Sequence, residues 1–167
     1  MSYLIFLPIL VLLSMIQVVA ISRLPLLHGK ADLILLVIIA WGLQEKARQA
    51  WVVAVLGGLI ISFITAAPYW SIILPYLTVV WLARHLHSRI WQSPLIAMML
   101  ITFIGTIFQH FLMILGLIFE DITINLSDIL GSVTLASLML NMILSLPVFV
   151  LIKDIAGSVY PVEIHEQ

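Results

Sequence analysis

Hydrophobic positions run in unbroken blocks along this chain, and its few charged residues fall between the blocks. Stretches such as Leu4–Ile16 and Ile143–Ile152 carry no charge and no apolar–polar alternation. Barrel strands alternate over about 10 residues, so continuous runs argue for helices. The pattern predicts six segments: Tyr3–Ile21, Ala31–Leu43, Ala50–Ala67, Trp70–Ala83, Pro94–Phe119 and Ser127–Ile152. A helix needs about 20 apolar residues to cross a bilayer unaided. The first, third, fifth and sixth segments reach or approach that length. The second and fourth are short, and Pro75 is expected to interrupt the fourth. Short segments can span inside a bundle, or they can be re-entrant.

Composition turns this pattern into a class. Hydrophobic residues make up 63% of the chain, and only 9% are charged. A soluble domain carries about 25% charged residues. The solvent for most of this chain is therefore expected to be lipid, where every backbone polar group must be paired within the protein. The expected fold is an all-α, polytopic integral membrane helical bundle of about six transmembrane helices. The net charge of −1 offers no basic patch for nucleic acid. There is no cysteine, which excludes disulfides and thiolate metal sites. The opening residues Met1 to Phe6 lack the basic region of a cleaved signal peptide, so the first segment is expected to be retained.

Basic residues orient the segments. With six crossings, Lys46, Arg48, Arg84, Arg89 and Lys153 share one side, while Arg23 and Lys30 face the other. The richer side is cytoplasmic, with both termini inside. If the second segment does not cross, all the basic residues share one side and the N-terminus lies outside. The tryptophans favour six crossings. Trp41 closes the second segment, Trp51 opens the third, Trp81 closes the fourth and Trp91 opens the fifth. Each stands beside basic residues, as interfacial anchors do. Pro68-Tyr69-Trp70 reads as a tight turn at the opposite interface. The longest aqueous pieces are the Arg84–Ser93 loop, the acidic Glu120–Ser127 loop and the tail from Lys153. None is long enough for a soluble domain, so residues 1–167 are expected to form one transmembrane domain.

Polar residues inside such segments are expected to face the bundle interior. On the third segment Ala54, Gly58 and Ser62 recur every four residues, a small-residue stripe that admits another helix closely. Thr102, Thr106 and His110 repeat that spacing on the fifth, with Gln109 beside them, and Ser137, Asn141 and Ser145 on the sixth. Ser14 and Gln17 form a shorter pair on the first. These stripes are read as helix-interface residues, joined by hydrogen bonds of about 0.6 kcal/mol each. The competing reading is a hydrophilic substrate pocket. His110 is expected to be neutral and hydrogen-bonded. A proton relay through it lacks a partner, because no Asp or Glu falls within a central segment.

Other candidate chemistry is sparse. His85 and His87 are two residues apart and lie on different helix faces, whereas helical zinc sites use i, i+4 spacing. Asn125-Leu126-Ser127 matches a glycosylation sequon, but Ser127 reads more simply as the cap of the last helix, with Asp128 in its first turn. Asp32 opens the second segment, where an acid suits a helix N-terminus, and a ligand role is left open. The chain has no H-E-x-x-H, no G-x-S-x-G and no Walker lysine. No catalytic residues, cofactor or metal are expected.

Two stretches carry a family resemblance. One is His28-Gly29-Lys30-Ala31-Asp32-Leu33-Ile34-Leu35-Leu36; the other is Gly57-Gly58-Leu59-Ile60-Ile61-Ser62. With the chain's size and tiny loops, they resemble MreD, the small membrane subunit of the bacterial rod-shape and cell-elongation system. Members of that family open the second helix with Pro-Asp-Leu and carry a Gly-Leu-x-x-Asp run in the third. Here Ala31 stands for the proline and Ser62 for the acid. The resemblance implies a non-enzymatic scaffold in the bacterial plasma membrane. Its implied partners are an MreC-like bitopic protein, then MreB, a RodA-type glycosyltransferase and a class B transpeptidase that build peptidoglycan. The family is also similar in helix arrangement to the substrate-binding S-components of energy-coupling-factor transporters. A vitamin- or metal-binding transporter subunit is therefore the alternative.

Overall fold

The structure is a computed structural model that describes residues 3–19, 29–44, 49–65, 68–87, 93–123 and 125–159. Arg23, Lys46, Arg48, Arg89 and Trp91, on which the orientation argument draws, lie outside them. The described residues form helices and a few non-helical residues beside them, with no strand among them. The helices are α1 (Tyr3–Val19), α2 (Leu33–Gly42), α3 (Ala50–Thr65), α4 (Tyr69–His87), α5 (Pro94–Phe119), α6 (Leu126–Asp128) and α7 (Leu135–Val159). A π-helical segment, Ile129–Thr134, joins α6 to α7. Two helical stretches, Pro94–Phe119 and Leu126–Ser158, are long and apolar enough to cross a membrane.

The ends of these helices have local causes. Asp32 caps α2: its carboxyl Oδ1 accepts the Leu35 N–H at 2.9 Å. Pro94 stands in the first turn of α5, where a missing N–H costs nothing. At the other end of α5, Ile122 N donates to Leu117 O and Asp121 N to Ile118 O, both at 3.1 Å. Asp121 takes the left-handed φ of 54° that this closing motif requires.

Several sequence expectations are corrected. Pro75 does not interrupt the fourth helix; it lies inside a continuous α4. A mid-helix proline costs about 3 kcal/mol. Ile72, Tyr76 and Val79 beside it are buried, and burying a side chain of that size contributes about 1.5–3 kcal/mol. Packing therefore outweighs the break. Of the expected Arg84–Ser93 loop, Arg84 to His87 are helical and residues 88–92 lie outside the described residues; the chain from Lys153 to Val159 is still α7 rather than a tail. Tyr69 and Trp70 are not a turn but the first residues of α4. Ser127 does not cap the last helix. Asn125 holds that position, and Ser127 Oγ donates to its side-chain oxygen at 2.8 Å.

α2 organises the bundle. Every residue of its ten is buried, and α1, α3, α4, α5 and α7 all pack on it. A helix that is apolar all round belongs in an interior. Trp41 at its end is fully buried as well. It is a core side chain and not an interfacial anchor. Trp51 and Trp81 are in contrast partly exposed. Glycine sets two of the close approaches. A Cβ on Gly57 would lie 2.8 Å from Ile34 Cγ2 of α2, and one on Gly58 would lie 2.9 Å from Ile73 Cγ1 of α4.

Candidate functional site

The buried polar groups gather where α2 begins. Residues 29–32 are not helical; they run as a strap along α7 toward the first turn of α2. Lys30 N donates to Ser137 Oγ at 2.9 Å, and Asp32 N donates to Asn141 Oδ1 at 2.8 Å. Two residues of extended chain advance about 6.6 Å, and four residues of helix advance about 6 Å. The two spacings match, so the strap runs parallel to α7. Gly29 makes this seating possible: a Cβ there would lie 2.6 Å from Ser137 N and 2.7 Å from Ala136 C. Non-helical backbone is tolerated in an apolar interior only where its polar groups find such partners.

Asp32 is the hub. Besides capping Leu35 N, its carboxyl accepts at Oδ2 from the Tyr76 hydroxyl and from Gln109 Nε2, each at 2.7 Å. Both carboxyl oxygens are engaged, Oδ1 by the backbone of α2 and Oδ2 by side chains of α4 and α5. Tyr76 on α4 is fully buried and Asp32 is 7% exposed. A second N–H of the first turn, Ile34, reaches Gln17 Oε1 of α1 at 3.4 Å. Asn141 closes the network by giving its amide N–H to Thr106 Oγ1 at 3.0 Å. His110 Nδ1 lies 2.9 Å from the Thr106 carbonyl oxygen, which requires the proton on that nitrogen.

Asp32 opens the second helix, as expected, and caps it; its height in the bundle follows from its partners. Its partner Gln109 lies ten residues inside the Phe119 end of α5, about 15 Å along the axis. Asp32 therefore sits at mid-height of the longest helices.

The structure unites some of the predicted interface residues and separates others. Ser137, Asn141 and Thr106 belong to the network around Asp32, and His110 adjoins it. Of these, only Asn141 and Thr106 join helix to helix. Ser137 and the Asn141 carbonyl hold loop backbone instead. Ala54, Gly58 and Ser62 are buried on α3, where Gly58 meets Ile73 of α4 and Ser62 Oγ returns to Gly58 O at 2.8 Å. Ser145 is buried and donates to Met142 O on its own helix at 2.7 Å. Thr102 is fully buried, and its hydroxyl has no hydrogen-bond partner among the described residues. His85 stacks on Trp81 with ring centroids 5.4 Å apart.

Tyr76 was missed. Its one sequence signal is a phenol in the middle of an apolar helix, and a buried phenol needs a hydrogen-bond partner. Gly105 was missed for a different reason. It interrupts no stripe, yet a side chain there would collide with Val79 of α4. Chemically the site offers a carboxyl group that accepts from a phenol and from the Gln109 amide, with the Gln17 and Asn141 amides holding backbone N–H groups beside it. No family model, no curated protein and no solved structure matches this chain.

Proposed function

We propose that the chain is a non-enzymatic, six-crossing scaffold of the bacterial plasma membrane. In this reading it belongs to the cell-elongation machinery, as its resemblance to MreD implies, and contacts a bitopic MreC-like protein. The observation that supports the reading is the filled interior. Where a carrier needs a cavity of about 300 Å³ with convergent free polar groups, this bundle holds its own α2. Tyr76 and Gln109 donate to the Asp32 carboxyl group and Asn141 joins the Asp32 backbone to Thr106, while Gln109 Oε1 and the Thr102 hydroxyl are buried without a partner among the described residues.

The second segment is compatible with crossing despite its length. Ten helical residues at 1.5 Å and four strap residues at about 3.3 Å reach about 28 Å. The hydrocarbon core is about 30 Å thick. The strap's backbone is shielded by α7, as non-helical chain at that depth requires.

Affinity purification of the tagged chain from its native membranes tests the function. The expected result is a single-span partner protein in stoichiometric amount. A stoichiometric vitamin or metal in its place, lost on Asn141→Ala or His110→Ala, would replace the scaffold with the transporter subunit.

A further inference from the structure

We propose that the outer face of α3 and α4 binds lipid and thins it, drawing a hydrocarbon core of about 30 Å down toward about 18 Å. The inference rests on the membrane-spanning bundle proposed above, and not on which protein that bundle contacts. Two rows of exposed rings mark the face: Trp51 and Trp81 in one, Phe63 and Tyr69 in the other. Phe63 and Tyr69 meet edge to face with centroids 5.6 Å apart, and Gly58 lies against Ile73, so α3 and α4 run antiparallel. Trp51 and Trp81 therefore share a height at the far end. Twelve residues separate the rows on each helix, from Trp51 to Phe63 and from Tyr69 to Trp81, a rise of about 18 Å. Trp and Tyr rings settle at the headgroup level. A segment longer than the hydrocarbon core can tilt to fit, but tilting only lowers a short one, so the bilayer thins around it.

α5 shows that the apolar boundary is uneven. Gly116 lies 3.5 Å, at its Cβ position, from Pro68 Cγ, and Gly105 lies against Val79. Eleven residues separate these contacts on both sides, so α4 and α5 run antiparallel at equal rise. At one end the two finish together, where Trp70 packs edge to face on Phe119. At the other they do not. Six residues beyond Val79 and Gly105 stand His85 and Met99, at one height. On α5 the exposed surface there is Met99, and beyond it Ile96 and Leu95, all apolar. On α4 it has already turned to Arg84 and His85. Lipid that covers Met99 must therefore stop short of His85 on the neighbouring helix. Lipid also suits the side chains between the two rows. Exposed Val52, Val55 and Leu74 are apolar, and the Thr78 hydroxyl is spent on Leu74 O of its own helix at 2.8 Å.

The test uses the full chain, which has no cysteine of its own, in dioleoyl phosphatidylcholine vesicles. Single variants His85→Cys, Met99→Cys and Leu74→Cys carry a nitroxide. Collisions with a water-soluble nickel chelate on both sides, and with dissolved oxygen, report water or lipid at each label. The label on His85→Cys is expected in water, and those on Met99→Cys and Leu74→Cys in lipid. The thermal midpoint of the unlabelled wild-type chain is expected to be highest in dimyristoleoyl phosphatidylcholine and several degrees lower in the dierucoyl lipid. Labels at positions 85 and 99 that report the same medium, or a midpoint that does not fall as the lipid lengthens, overturn the proposal. A label on Leu74→Cys shielded from both probes overturns it in favour of a second copy covering the face. A chain that alkaline carbonate strips from the vesicles overturns the membrane reading itself.

Discussion

Asn141 accepts the backbone N–H of Asp32 at 2.8 Å, across 109 residues of chain, and passes its own amide N–H to Thr106. One side chain thus holds the strap, α5 and α7 together. Asn141→Ala leaves a buried backbone donor without a partner, which costs about 1–3 kcal/mol. The expected outcome is a thermal midpoint several degrees lower. An unchanged midpoint would mean that water replaces the amide.

Gly29 and Gly157 make a matched pair. A Cβ at Gly29 collides with the backbone of α7, whereas one at Gly157 meets nothing within 4 Å. Gly29→Ala is expected to destabilise by about 1–3 kcal/mol. Gly157→Ala is expected to stabilise by about 1 kcal/mol, because Gly157 lies in an exposed helical stretch of α7. Equilibrium unfolding of the two variants should shift in opposite directions.

Gly58 admits Ile73 of α4, so Gly58→Ala is expected to cost about 1–3 kcal/mol. Ile73→Ala removes the Cγ1 atom that would be struck but leaves the nearby backbone. A double-mutant cycle should therefore return a coupling of about 1 kcal/mol. Additive effects would mean that the two helices separate to make room.

Asp121 holds a left-handed φ of 54° at the end of α5. Glycine adopts that conformation without a Cβ penalty. Asp121→Gly is expected to raise stability by up to about 1 kcal/mol, while Asp121→Val lowers it. A melting comparison of the two variants with wild type decides this.

On the six-crossing reading proposed above, both Met1 and Gln167 lie on the cytoplasmic side. A reporter active only outside the cytoplasm should be silent when fused at Met1 or at Gln167. Activity at Met1 alone would favour five crossings with a re-entrant second segment.

The helical class was legible because it rests on local periodicity, and the same periodicity picked out Thr102, Thr106, Ser137, Asn141 and Ser145, which are buried. Apolar runs without alternation read as helices, and polar residues four apart read as one buried face. What each stripe touches was not legible. Ser137 and Asn141 look like any pair of helix-interface residues, and nothing local says that a loop backbone lies against them. Asp32 was legible as the acid that opens the second helix, but its partners were not, because an N-cap acid looks alike at the end of a bundle and in the middle of one. Trp41 followed the rule for interfacial anchors, but its surroundings come from helices distant in sequence, and they enclose it. Pro75 marked a break by local chemistry that the packing around it overrides.

The strap also sets a clock on biogenesis. The N–H groups of Lys30 and Asp32 find their acceptors on α7, which follows more than a hundred residues later. At about 5–20 residues per second of synthesis, the ribosome needs roughly 5–20 s to make the chain from Asp32 to Asn141. During that interval the second segment has neither its mate nor enough apolar length to settle in lipid alone. On the six-crossing reading proposed above, it waits in the insertion machinery or at the membrane surface. The last long helix to be made is therefore the one that admits the second.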